Sequence, residues 1–296
     1  MTSKDYIINK SKNLVNGYFK YDKLKIYLDT LNNIKTIQFH NIIIYILHEN
    51  ETYDSDINYI KKILIRAYIL TKHINKTFNI YLMLSPFKKE FNSTNLCRYN
   101  SNSGFTLISL YNNLKNVDIY IIRKEEFGKV IIHEIIHHIN LIHSTFKESN
   151  INKLKTFFNI SSAIIIDPNE TIVELCATLF HLYQLSIETN TDLYKLYKDE
   201  LKYSLYKTKQ LLELQKKMPN GIWYEESNIY SYIIFKTIIM YNITEFQKIY
   251  TFPYNDDIIT DFLIKYSGFL SSLKINKNPT NIRKSNSLCY MVHSDL

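Results

Sequence analysis

The spacing of apolar residues changes once along this 296-residue chain, near Arg123, and this change constrains the fold more strongly than any other feature. Before Arg123, short β-branched and aromatic runs are separated by turn residues, which is typical of strands, and residues 56–72 have helical spacing. Beyond Arg123, apolar residues recur at helical spacing almost continuously to about Leu270. We therefore predict an α+β protein, with helices packed on an N-terminal mixed sheet and a mainly helical C-terminal part.

Five segments of the first part have the composition of strands: residues 34–39, 42–47, 79–84, 105–110 and 117–122. Only His40 and Asn41 separate the first two, which predicts a hairpin. The chain has neither an internal repeat nor a Gly/Ser-rich linker, so we predict two subdomains that share one core. These are an α/β subdomain (residues 1–122) and a helical subdomain (residues 123–272), followed by a flexible basic tail (residues 273–296).

The charge of the chain bears on the class of partner it can bind. A formal net charge of +8 would favour an anionic partner, but the lysines are spread over the whole chain. The abundance of Lys, Ile, Asn and Tyr also follows an AT-rich codon bias. Nucleic-acid binding needs a basic cluster on one face, so we do not expect a nucleic-acid partner.

The N-terminus and the cysteines indicate where the protein works. The first residues are polar, and the strongest apolar run, residues 42–47, is far shorter than the roughly 20 residues of a membrane span. We therefore expect no signal segment and no membrane contact. Cys97, Cys176 and Cys289 are too few and too widely spaced for a disulfide framework, which favours a reducing, intracellular compartment.

The segment with the clearest chemistry reads His133-Glu134-Ile135-Ile136-His137. In a helix, two histidines four residues apart lie on one face and can bind a single metal ion. Glu134 would then lie beside the metal, where it can accept a proton from a bound water. The surrounding isoleucines place this helix in a core, where two histidines and a glutamate are costly to bury without a metal or hydrogen bonds. The alternative is that both histidines are merely hydrogen-bonded helix residues.

A catalytic zinc site needs a third protein ligand, which should come from a later segment. Asp167-Pro168 is typical of the start of a helix, with Asp as the N-cap. Glu170 and Glu174 follow, one turn apart on a single face of this predicted helix. Either carboxylate could complete the ligand set, and two solvated glutamates are the alternative.

These two helices together resemble the gluzincin family of zinc peptidases, over about residues 117–184. The resemblance implies a zincin-like fold, with Glu170 as the third zinc ligand and Glu174 as a brace for a zinc-bound histidine. In thermolysin, a member of this family, the brace is an aspartate. Because the side chain of Glu174 is longer, Glu174 could instead be the third zinc ligand. Three further segments are residues 85–89, 102–106 and 123–126. Their order resembles that in uncharacterised zincin-like proteins of large DNA viruses. This resemblance implies a viral protein that is virion-associated or intracellular.

The resemblance implies a zinc-dependent endopeptidase with Zn2+ as cofactor and a peptide or protein as substrate. The helical subdomain would be the catalytic one, with Glu134 as general base. Three tyrosines lie near the start of a later predicted helix, Tyr224, Tyr230 and Tyr232, and of these we favour Tyr230 as the donor that stabilises the oxyanion. We expect Gly104 and Phe105 to bind substrate along an edge strand, with an ordinary turn as the alternative. An aminopeptidase remains open, and the main alternative is a zinc-binding structural or interaction protein of the same fold with weak catalysis.

Overall fold

The computed structural model describes residues 3–49, 57–89, 96–107, 115–139, 146–250 and 255–274. These residues form two compact units. The first contains residues 3–49, 57–89, 102–107 and 115–139, and the second contains residues 96–101, 146–250 and 255–274. The helix with the paired histidines thus belongs to the first unit, with the sheet.

The strands are β1 (Asn33–Phe39), β2 (Ile42–His48), β3 (Thr77–Ser85), β4 (Gly104–Thr106) and β5 (Asn116–Arg123). The helices are α1 (Ser3–Phe19), α2 (Asp22–Thr30), α3 (Ile57–Thr71), α4 (Arg98–Ser101), α5 (Phe127–Ile136), α6 (Glu148–Phe157), α7 (Asn169–Thr189), α8 (Leu193–Lys217), α9 (Lys236–Tyr241), α10 (Ile243–Ile249) and α11 (Asp256–Lys265). A π-helical segment (Tyr230–Phe235) precedes α9, and short 3-10 turns lie at Pro219–Gly221 and Gly268–Ser272.

The first unit is built on a five-stranded mixed sheet with the order β1-β2-β3-β5-β4. The central strands β2, β3 and β5 are parallel, and the outer strands β1 and β4 run antiparallel to their neighbours. The β1–β2 hairpin turns at His40 and Asn41, as predicted, with His40 at a positive φ of 52°. The α+β class and the mixed sheet are therefore confirmed.

Alternate residues of the strands point to opposite faces of the sheet. On one face, Ile44, Ile80 and Ile119 pack against α3 and α5. On the other face, aromatic rings in register stack across the strands and reach α1: Tyr45, Tyr81, Tyr120, Phe105 and Tyr18. The β-branched residues of the central strands thus bury α5 against the sheet.

The second unit is helical, as predicted for this part of the chain. The helices α7, α8 and α9 and the π-helical segment contact one another, and α6 packs on α11. Its core is rich in aromatic rings, including Phe158, Trp223 and Phe235. Among the residues that the structure describes, no helix is long and apolar enough to cross a membrane.

Several local predictions differ from the structure. The helices α1 and α2 were not predicted, because polar residues interrupt their apolar pattern. The fourth strand ends at Thr106, and residues 108–110 of the predicted strand lie outside the described residues. Most of the predicted tail, from residue 275 onwards, also lies outside them.

Candidate metal centre

The acidic pair Glu125 and Glu126 suits the positive end of a helix dipole and predicts a helix start near Glu125, but α5 begins two residues later, at Phe127. Glu126 adopts a left-handed backbone conformation (φ 62°). A right-handed helix cannot include a residue in this conformation, so α5 starts after it. Its carboxylate forms a buried ion pair with the ammonium group of Lys89, and the neighbouring Glu125 accepts a hydrogen bond from the Lys89 backbone N–H at 3.0 Å. These contacts hold the start of the helix in place.

All ten residues of α5 are buried. Ile131 and Ile135 pack into the core under the sheet, whereas His133 and Glu134 are each 7% exposed. The helix ends at Ile136, but His137 keeps right-handed helical dihedrals (φ −58°, ψ −20°). The two histidine side chains therefore remain one turn apart on the same face, as the spacing predicted.

The two imidazoles are close enough to share one ion. Their Nε2 atoms are 3.3 Å apart, and the rings are inclined by 71°. Two nitrogens at the usual Zn–N distance of about 2.0–2.1 Å from a tetrahedral zinc lie about 3.3 Å apart. The same distance also permits a hydrogen bond from one ring to the other. A third ligand atom nearby is therefore what distinguishes a metal site from a pair of hydrogen-bonded histidines.

Glu170 lies in the first turn of α7, where the sequence predicted a helix start. Asp167 accepts a hydrogen bond from the Asn169 backbone N–H at 2.9 Å and so caps the helix. The Asp167 N–H in turn donates to the side chain of Asn228 at 3.0 Å. One ligand atom each of His133, His137 and Glu170 lies within 4.8 Å of the other two.

The three side chains form a group that could hold a metal ion. Two imidazole nitrogens and one carboxylate oxygen are a donor set found in catalytic zinc sites, which keep a further position for water. No protein-family model, no curated protein and no solved structure matches this chain. The interpretation of the centre thus rests on its own geometry and donor chemistry.

Glu174, one turn after Glu170, is buried on α7. Its carboxylate Oε1 lies 3.8 Å from the ammonium group of Lys236. The predicted role of Glu174 as a brace for a zinc-bound histidine stays a prediction. Lys236 was not predicted as part of any site, although a lysine inside the apolar run from Ile233 to Ile239 is a recognisable signal of a buried charge.

His138 connects the end of α5 to the edge strand β4. Its Nε2 lies 2.6 Å from the hydroxyl oxygen of Thr106, and that hydroxyl donates to the Asp118 carbonyl at 3.1 Å. Because a hydroxyl has one proton, Thr106 accepts from His138, which places the imidazole proton on Nε2. Burial, with His137 and Lys76 nearby, lowers the pKa of His138 to about 4, so the ring is neutral near pH 7.

The two predicted substrate-binding residues lie on β4, the last strand of the sheet. A Cβ on Gly104 would lie 2.7 Å from the carbonyl oxygen of Tyr120 and 3.1 Å from a methyl carbon of Val130. The absence of a side chain at Gly104 therefore allows β4 to lie close to β5 and to α5. The side chain of Phe105 is buried between the rings of Tyr18 and Tyr120, which leaves the backbone of β4 for any contact with a substrate.

Tyr230, the predicted oxyanion donor, lies in the core of the second unit. It is 1% exposed, and its hydroxyl donates to Gln215 at 3.4 Å. Its ring packs against Phe158 and Trp223, and burial, with Glu225 nearby, raises the pKa of its hydroxyl well above the usual range. This environment is that of a core residue and gives the predicted role no support.

Proposed function

We propose that the chain is a zinc-dependent metallopeptidase of the gluzincin type, with His133, His137 and Glu170 as the zinc ligands. The observation that carries this proposal is the 3.3 Å separation of the two Nε2 atoms, with a carboxylate oxygen of Glu170 in the same group of ligand atoms. A hydrogen bond between two histidines would need no such third donor. The mixed sheet with an antiparallel last strand and a histidine-bearing helix packed on it is compatible with a zincin-like fold.

The chemistry of hydrolysis would be divided between the metal and Glu134. Zinc bound at this centre would lower the pKa of a water molecule towards about 7 and polarise the peptide carbonyl. Glu134 follows the first ligand directly and is nearly buried, at 7% exposed. Its carboxylate accepts the proton of the attacking water as the new C–O bond forms, and delivers it to the amine nitrogen as the C–N bond breaks.

An extended peptide is the substrate class that suits the sheet. The strand β4 pairs with β5 on one side and is the last strand of the order among the described residues. A peptide added alongside it would form main-chain hydrogen bonds, the mode in which sheet edges bind extended segments. Because the Phe105 side chain is buried, we expect recognition through the backbone of Gly104, Phe105 and Thr106.

Hydrolysis of an unfolded protein tests the proposal. Purified chain is loaded with zinc and incubated with fluorescently quenched casein, beside the Glu134→Gln variant, which keeps the shape of the side chain but cannot accept the proton. We expect Glu134→Gln to retain zinc and to lose at least about 100-fold in rate, the lower end of what general base catalysis contributes. Equal rates for the two proteins would contradict the role of Glu134.

A second candidate is a zinc-binding structural or interaction protein of the same fold. The observation that favours it is the burial of Tyr230, which leaves the predicted oxyanion donor in the core. This candidate predicts that wild-type protein retains zinc and hydrolyses neither casein nor a mixture of short peptides. The same experiment therefore separates the two candidates.

A further inference from the structure

A row of three buried charges crosses the second unit. The ammonium group of Lys236 lies 3.8 Å from the Oε1 of Glu174 and 3.8 Å from the Oε1 of Glu200. All three side chains are at most 1% exposed. They come from three different helices, α7, α8 and α9, so a single cation joins the three elements.

Burying these three charges destabilises the fold unless all three side chains are present. A buried charge that loses its partner is strongly unfavourable, because water no longer solvates it. With Lys236 in place, one cation is shared by two carboxylates. Without it, the two buried carboxylates would lose the cation that they share, and Glu174 is one turn of α7 away from Glu170.

The π-helical segment sets the position of Lys236. Lys236 is the first residue of α9, directly after Tyr230–Phe235. Within that segment, the Ser231 carbonyl accepts a hydrogen bond at 3.3 Å from the hydroxyl of Thr171, the neighbour of Glu170. The first turns of α7 are therefore held by this part of the chain at two points, at Thr171 and at Glu174. Interruptions of this kind in α-helices are frequent at functional sites.

We propose that Lys236 is a positioning residue for the metal centre. Its ammonium group, held between Glu174 and Glu200, fixes Glu174 and with it the helical turn that presents Glu170 to the metal. This inference rests on the proposed function, since it concerns the zinc ligand Glu170. It assigns no chemistry to Lys236 itself.

Lys207 provides a matched control. It is also a buried lysine of the second unit, on α8, and its ammonium group donates to the side chain of Gln210 at 2.9 Å. It lies over the rings of Tyr203 and Tyr206. If the loss of any buried lysine loosened the helices enough to weaken the metal centre, then Lys207→Met would have the same effect as Lys236→Met.

The test measures metal affinity and ligand geometry. Zinc affinity is determined by competition with a chromophoric chelator, and Co2+ loaded in place of zinc reports the ligand geometry through its visible spectrum. We expect Lys236→Met to bind zinc about 10-fold more weakly, the lower end of the usual effect of residues that orient ligands, with a changed Co2+ spectrum. Lys207→Met should bind within about 3-fold of wild type with an unchanged spectrum, a difference that a purely structural role would not produce.

A double variant keeps the test informative if Lys236→Met does not fold. Combining Lys236→Met with Glu200→Gln removes one of the two carboxylates and so relieves the charge imbalance, while Glu174 still lacks its contact with the Lys236 ammonium group. The double variant should bind zinc about 10-fold more weakly than wild type. Wild-type affinity and spectrum in the double variant would overturn the inference, whereas a wild-type chain that binds no zinc would overturn the proposed function instead.

Discussion

Glu225 is a buried carboxyl group whose titration should be visible in the stability of the protein. It is 1% exposed and accepts hydrogen bonds from the backbone N–H groups of Ile229, at 2.7 Å, and Tyr230, at 3.1 Å. Burial raises the pKa of this carboxyl group to about 8, and the hydrogen bonds only partly offset the effect. The carboxyl group therefore stays protonated in the folded state at pH values where it is ionised in the unfolded chain.

The direction and size of the effect follow from this difference. Between its unfolded pKa of 4.5 and its folded pKa of about 8, the folded state binds more protons than the unfolded state, so stability falls as pH rises. The whole loss, complete above the folded pKa, corresponds to about 5 kcal/mol. Between pH 6 and pH 8 alone, the free energy of unfolding should fall by about 2 kcal/mol.

Urea unfolding at pH 6, 7 and 8 measures this loss, with a chelator present so that zinc does not contribute. The Glu225→Gln variant keeps the shape of the side chain and does not titrate. Every other titrating group is common to both proteins, so the difference between their unfolding free energies isolates Glu225. Wild type should lose about 2 kcal/mol relative to the variant between pH 6 and pH 8. Parallel curves for the two proteins would refute the reasoning.

Two predictions concern the edge strand. Thr106→Val removes the oxygen that contacts His138 at 2.6 Å, so the free energy of urea unfolding should fall by about 1–2 kcal/mol. Thr106→Ser should restore most of it, and equal stability of the Val and Ser variants would contradict this account. Gly104→Ala places a methyl group 2.7 Å from the Tyr120 carbonyl oxygen, which should cost about 1–3 kcal/mol in thermal unfolding. Gly17→Ala in α1, where nothing lies within 4 Å of the new methyl group, is the control and should be neutral or stabilising.

What the sequence predicted well depends on short-range patterns. The strands of the sheet follow from β-branched runs between turn residues, and the paired histidines follow from spacing along one helix. The α7 start followed from Asp167 and Pro168, because a helix cap is a contact between near neighbours. Each of these features is determined by residues within a few positions of one another.

What the sequence missed depends on contacts between distant residues. The start of α5 is set by the ion pair of Glu126 with Lys89, 37 residues away. Tyr230 lies among polar residues in the sequence, but Phe158 and Trp223 bury it. Glu174 and Glu200, which pair with Lys236, are on two other helices. Local composition carries no information about such contacts, so these residues could be placed only once the chain was folded.

The zinc content of the purified chain tests the central claim most directly. Plasma mass spectrometry is applied to wild type, Glu134→Gln, His137→Ala and, as a control, His73→Ala, which removes an exposed histidine outside the proposed ligand set. We predict about one zinc per chain in wild type, Glu134→Gln and His73→Ala, and little in His137→Ala, because two remaining ligands hold zinc poorly. A wild-type chain that is still free of metal after refolding with zinc would contradict the metal centre, and with it the proposed peptidase.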